Sequence, residues 1–363
     1  MINQKLLKQI KRISWYRQEA ESNPYFIYIP CIGALSWFGD NGGRIFWYCK
    51  PGYAKSYLDK DFLLELAEKY LETEKKKPGN LDFLFKKWRE QVQRKNERLF
   101  SIINRSNLSK IKNQQLLQLN RQLADNYLFM WRQFYMDIYD LDAEALVEKE
   151  LIGEKIILTD EERTVMMSQE KLIIHQEEEK DLLKIALLIK QTPGALNTFL
   201  YINTPSNLHR LNLYPEIKKF LENHQRQFFW TQNSWASTKI LSIFDFVEIL
   251  KQILSSSRVV NEEYEKLQNF EVDILRQKQR ISEKYKMSPW LKQVFHFFGL
   301  LSYWRDQRKA QVQNMHHYLE VAGREIARRS HLAWEDVKVC DSHGIIKWTG
   351  LSRQLLTIFH EQG

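Results

Sequence analysis

Along residues 288–337 the apolar side chains return at steps of three and four: Leu301, Trp304, Val312, Met315, Leu319, Ala322 and Ile326, with Arg308 set among them. That spacing predicts one long helix with a buried face. Ser288 supplies a capping oxygen and Pro289 takes a first-turn position that needs no amide hydrogen, so the helix is expected to start there. Asp306, Lys309, Gln313, Glu320 and Arg324 fall on the other side, where Glu320–Arg324 and Glu325–Arg329 stand at the supportive four-residue spacing. That side is expected in water.

A stripe of this length requires comparable partners. Leu116, Leu119, Leu123, Tyr127, Met130, Phe134, Ile138 and Leu141 keep the same period and predict a second long helix. Leu81, Leu84, Trp88, Val92, Leu99 and Ile102 predict a third. With only 13 Gly and 8 Pro in 363 residues, long irregular regions are not expected. Shorter helices are signalled by capping pairs, Thr159 with Glu162 and Ser242 with Asp245. Asp59 or Asp61 is expected to cap a helix carrying Phe62, Leu66 and Tyr70, and Pro215 to open one reaching about residue 224.

The first sixty residues read differently. Leu6, Leu7, Ile10 and Ile13 suggest a short helix closed by Asn23-Pro24. Residues 25–29 and 45–49 are β-branched and aromatic, Gly39-Asp40-Asn41-Gly42-Gly43 between them is a strong turn signal, and Pro51-Gly52 is a second one before 54–58. Residues 199–202 are a further possible strand. The expected fold is mainly α, a helical bundle with a small N-terminal antiparallel β-element (α+β). The Lys75-Lys76-Lys77-Pro78-Gly79 break divides it into an α+β part, 1–77, and a helical part, 78–363.

Lys and Arg number 54 against 45 acidic residues, a net charge of +9, but the basic residues are dispersed. This pattern fits a solvated basic surface better than a nucleic-acid footprint. Cys31, Cys49 and Cys340 make no CxxC and no even-numbered disulfide framework, which fits a reducing cytoplasm. The basic N-terminus lacks the apolar core of a signal peptide, and the longest apolar run is too short to span a bilayer. The expectation is a cytoplasmic protein with no membrane partner.

No catalytic string is present: H-E-x-x-H, G-x-S-x-G and the phosphate-loop patterns are all missing. No catalytic, cofactor-binding or metal-binding residue is assigned, and no cofactor is evident. Adjacent His316 and His317 point to different sides of a helix, and His317 with Glu320 makes only half a metal site. Glu161-Glu162 and Glu262-Glu263 read as helix-start charges. The run 224–230 (HQRQFFW) has two readings. His224, Arg226 and Trp230 could contact an anion or an acidic partner through stacking and charge, or the aromatics could plug a loop into the core. Arg305 and Arg308 beside Trp304 pose the same choice, since Arg308 lies on the apolar stripe and needs a buried partner or an anion.

Three blocks, in this order, are 178–189 (EEKDLLKIALLI), 224–250 (HQRQFFWTQNSWASTKILSIFDFVEIL) and 304–337 (WRDQRKAQVQNMHHYLEVAGREIARRSHLAWEDV). Together they resemble the helical region preceding the swivelling phosphohistidine domain in phosphoenolpyruvate-synthase-like proteins of the phosphoenolpyruvate-utilising family. The earlier stretch IFWYCKPGYAKSYL followed by ELAEKYLE is similar to divergent short members. The resemblance implies a phosphotransferase that shuttles phosphate on a mobile histidine domain, joined in cis or in trans. No glycine-rich segment with a serine-histidine pair is found here, Ser342-His343-Gly344 being only superficially alike, and no nucleotide loop appears. No functional residue of the family is carried over. The expectation is a non-catalytic front portion, a fragment or a stand-alone relic. The alternative is a helical interaction module whose basic surface binds an acidic partner or nucleic acid.

Overall fold

The computed structural model describes residues 13–40, 44–50, 52–133, 135–140, 143–256 and 259–338. The chain is mainly helical with one small antiparallel sheet near its N-terminal end, as the periodicities predict. It divides into two compact units. The first takes residues 1–155, 234–238 and 311–363, and the second takes 156–233 and 239–310. The break expected at Lys77 falls inside the first unit, where the buried Glu74 carboxylate accepts the amides of Gly79 and Leu81 and so caps the helix that follows.

In the first unit, strands β1 (Trp15–Ala20), β2 (Ile45–Lys50) and β3 (Tyr53–Asp59) form a sheet in the order β1-β3-β2, with Trp15 opposite Asp59 and Ile45 opposite Leu58. The hairpin therefore closes at the second turn signal, where Gly52 has φ +86°, and not across the glycine cluster, most of which lies outside the described residues. Residues 25–29 are not a strand. They open helix α1 (Pro24–Asp40), in which Asn23 caps the Phe26 amide at 3.1 Å and Pro24 takes the first-turn place. Asn23-Pro24 thus starts a helix instead of ending one. Tyr25, Phe26, Ile29, Ala34 and Phe38 are fully buried, so the apolar run reflects a helix covered on several sides and not a pleated face. The helix expected before it is, in its described part, strand β1; Leu6, Leu7 and Ile10 lie outside the described residues.

Helices α2 (Lys60–Lys76), α3 (Asn80–Arg105), α4 (Asn113–Trp131) and α5 (Ala143–Glu154) complete this part, with Asp59 capping α2 as read from the sequence. The α4 helix stops at Trp131, and a 3-10 segment (Tyr135–Asp140) follows. The uninterrupted stripe through Leu141 was an overextension, because a 3-10 segment preserves a three-residue repeat while turning more tightly; Phe134 and Leu141 themselves lie outside the described residues. On α3 it is Ile103 that is buried, and Ile102 is exposed.

The second unit holds α6 (Asp160–Met167), α7 (Ile174–Gln191), α8 (Ala195–Leu200), α9 (Pro215–Phe228), α10 (Ile243–Ser255) and α11 (Val260–Lys284). Both capping boxes form, Thr159 with Glu162 and Ser242 with Asp245. The core is built from Leu183, Ile185, Ala186 and Ile189 of α7 with Leu221, Phe228, Phe246 and Leu250. Phe199 enters it from helix α8 and not from a strand.

Helix α12 (Pro289–Arg329) runs 41 residues, through Ala310 in the second unit and from Gln311 in the first. Ser288 Oγ accepts the Leu291 amide at 3.0 Å, closing the predicted cap. Every residue of the predicted stripe is buried, Trp304 and Leu319 completely. The expected solvated side is only partly so. Glu320 is buried, with Thr238 and Arg324 donating to its carboxylate at 2.5 and 2.6 Å.

Truncation should register this burial: Leu319→Ala is expected to lose about 2–5 kcal/mol and Trp304→Ala about 3–5 kcal/mol in denaturant unfolding. Close helix contact should appear in Gly33→Ala, whose added methyl would stand 2.6 Å from Trp131 Cβ and 3.0 Å from its backbone carbon. Overpacking of this kind costs roughly 1–3 kcal/mol, so a Gly33→Ala chain as stable as the parent would contradict the packing.

Candidate functional site

The residues singled out by sequence, His224, Arg226, Trp230, Arg305 and Arg308, all fall in the second unit. They do not form one clamp. His224 and Arg226 stand two positions apart on α9 and so face away from each other. The His224 ring is fully buried, whereas Arg226 is exposed and reaches back along its own helix to Asn223. Trp230 is buried, Phe228 more so, and Phe229 is half-buried, so the aromatic run plugs the core. Arg308 is buried and Arg305 half-buried on α12.

The α7 helix supplies what the sequence reading left out. Asp181 Oδ2 lies 2.7 Å from His224 Nδ1, and Glu178 accepts a hydrogen bond from Thr231 Oγ1 at 3.1 Å. Glu178 and Asp181 stand three apart and so lie along one line of α7, a spacing that is the only local signal of this pair of anchors in the sequence. Burial pushes the Glu178 carboxyl above its ordinary range. A carboxylate on Nδ1 leaves Nε2 as the lone-pair nitrogen, the arrangement that orients a general base. Here Nε2 is buried without a hydrogen-bond partner among the described residues, and the imidazole ring centre lies 4.8 and 4.5 Å from the Phe228 and Phe246 ring centres. As folded, the pair ties α9 to α7, with the imidazole enclosed and only the Asp181 carboxylate partly exposed.

A second polar cluster lies in the same unit. Lys278 Nζ donates to the Ser168 carbonyl at 2.7 Å and to Glu170 at 3.1 Å, and His296 approaches the other Glu170 oxygen at 3.6 Å. His296 and Lys278 together hold Glu170 down to about 2. Lys278 is nine-tenths buried, so the charge is neutralised where it would otherwise be costly.

In the first unit, His316 is buried on a satisfied set of partners. Its Nδ1 lies 3.0 Å from the Ser234 carbonyl and can only donate there, which leaves Nε2 to accept from Tyr127 Oη at 2.8 Å. The ring stacks on Phe26 at 4.3 Å. Burial drives His316 down to about 3 and His317 to about 4. Glu320 is committed to Thr238 and Arg324, so His317 and Glu320 do not act as half a metal site. Among the described residues no cluster of three or more His, Cys, Asp or Glu is arranged to hold a metal, and no helix is long and apolar enough to cross a membrane.

Both histidine anchors make measurable predictions. Asp181→Ala should strand the buried His224 nitrogen and cost about 1–3 kcal/mol of stability, read from the urea midpoint. His316 is neutral in the fold but in the unfolded chain takes a proton near its ordinary 6.5, so the unfolded state binds protons first as pH falls. Its contribution is full above pH 6.5 and is lost down to about 3, with a limiting slope of ~1.4 kcal/mol per pH unit. His316→Asn should flatten the dependence of unfolding free energy on pH between 6.5 and 4; an unchanged slope would contradict the assignment.

No family model, curated protein or solved structure matches this chain.

Proposed function

We propose that this chain is the non-catalytic helical portion of a phosphoenolpyruvate-synthase-like phosphotransferase, acting with a phosphohistidine domain in cis or in trans. The observation that carries the reading is where the polar anchors fall. The three blocks of resemblance, 178–189, 224–250 and 304–337, are separated in sequence by residues 190–223 and 251–303, yet supply one another's hydrogen-bond partners. Within the second unit, His224 and Thr231 of the middle block bond to Asp181 and Glu178 of the first. Within the first unit, Ser234 and Thr238 of the middle block bond to His316 and Glu320 of the last. Phosphoryl transfer needs an exposed carrier and a charged cradle for the moving group, and the histidines described above are anchored in the core or its edge.

The purified chain is expected to take up no acid-labile label from radiolabelled phosphoenolpyruvate or ATP, and to co-elute with a separately prepared phosphohistidine domain of a phosphoenolpyruvate synthase in size exclusion. Stoichiometric phosphohistidine on the chain alone, or no association with that domain, would count against the proposal.

One observation favours the second reading, a module for an acidic partner. On α3, Lys87, Arg94, Arg98 and Arg105 recur at steps of seven, four and seven, which aligns them along one edge of the helix for about 27 Å. All four are exposed, and none engages an acidic side chain among the described residues. In the aromatic run 228–230, Phe228 and Trp230 are buried and offer no ring face to a partner. If the stripe binds nucleic acid, the affinity for a mixed-sequence oligonucleotide falls steeply with added salt and the quadruple change to Glu abolishes it. Absence of binding at 100 mM salt would leave the first reading alone.

A further inference from the structure

Cys31 and Cys49 lie 18 positions apart, one on α1 and one on β2, and both belong to the first unit. The fold sets their sulfurs 3.5 Å apart. Their surroundings differ. Cys31 is 5% exposed, packed with Ile27 and Ala54, whereas Cys49 is half-buried at the edge of the same cluster with Trp47 and Trp235. Neither thiol has a metal-binding neighbour set among the described residues. Two free thiols in van der Waals contact, one sheltered and one reachable, are the arrangement of an attacking and a resolving cysteine.

We propose that Cys31 and Cys49 are a redox pair that closes to an intramolecular disulfide by exchange with low-molecular-weight disulfides, tying α1 to β2. The Cys49 thiolate attacks one sulfur of the small disulfide, forming a mixed disulfide and expelling one small thiolate. Cys31 gives up its proton to that thiolate, and its sulfur then attacks the Cys49 sulfur, expelling the second small thiolate, which is protonated by water. The two protein thiols are oxidised by two electrons, and the small disulfide is reduced to two thiols. The order of attack follows from access and from the hydrogen bond between the sulfurs. Cys31 donating to Cys49 lowers the Cys49 thiol below its ordinary value, while burial and the same bond raise Cys31. The sulfurs must approach by a further ~1.5 Å to bond, a shift within reach of a β2 edge residue.

The test uses the full chain carrying Cys340→Ser, since Cys340 lies outside the described residues. It is equilibrated in buffers of graded reduced and oxidised glutathione, then quenched, alkylated and mapped by mass spectrometry. Expected is a single two-electron transition in which both thiols disappear together, no glutathione mass is retained, and a peptide joining residues 31 and 49 is recovered. Tryptophan emission should fall with the same midpoint, because Trp47 and Trp235 border the pair. Cys31→Ser should instead trap one glutathione on Cys49, and Cys49→Ser should leave Cys31 unmodified in native buffer. The proposal is overturned if the native chain keeps both thiols at the most oxidising ratio yet reacts in urea, or if it accumulates glutathione on Cys49 without the joined peptide. Mapping of the parent chain decides the matter even where a variant does not fold.

Discussion

The structure depends on burying α12. A helix of 41 residues presents far more apolar surface than its own hydrogen bonds can justify in water, and helical stability in proteins comes chiefly from packing of such surface. Here Leu291, Val294, Phe298, Leu301, Trp304, Met315 and Leu319 are wholly enclosed. Two polar groups caught on its covered sides are answered from other elements or from the helix itself: His316 by Tyr127 and Ser234, Glu320 by Thr238 and Arg324. Unanswered, each would cost about 1–3 kcal/mol, so the loop 234–238 is as much a part of this helix's environment as the helices are.

Close approach in the first unit rests on two glycines. At Gly33 and Gly323 an added carbon would stand 2.6 Å from Trp131 Cβ and from Tyr25 Oη respectively. Tyr25 Oη in turn donates to Asn120 Oδ1 and Leu319 O at 3.1 and 3.3 Å, alternatives for one hydroxyl hydrogen that fix the ring between two helices. The neighbouring Asn104–Tyr318 bond and the Phe100–Tyr318 stack repeat the theme of one aromatic ring with one polar tether.

Periodicity made the helices legible, because a three-and-four repeat is written in every turn; the stripe from Leu301 to Ile326 and the Ser288, Thr159 and Ser242 caps all stand where the sequence placed them. Strand against helix in 25–29 was not legible, since a short apolar aromatic run fits a buried helix as well as a strand, and the Asn23 cap that decides it was hidden in an Asn-Pro pair that also ends helices. The candidate site was half legible. His224 drew notice for its aromatic neighbours, but its partner Asp181 lies 43 positions away and carries no local mark. Glu320 looked solvated because helix spacing says nothing of a loop arriving from residue 238. The cysteines were counted and judged by parity, which ignores which two the fold brings together.

The division of the chain sets an order for assembly. Apart from residues 234–238, the second unit draws on one unbroken stretch from 156 to 310, so its core is complete as soon as that stretch has been made. The first unit is interrupted: Tyr25 waits for Leu319, 294 positions later, and Tyr127 for His316, 189 positions later. During synthesis at about 5–20 residues per second, the N-terminal helices stand without their central partner until the last part of α12 emerges. The later-made unit therefore has the means to fold first, and the N-terminal half is the part of the nascent chain most in need of shelter.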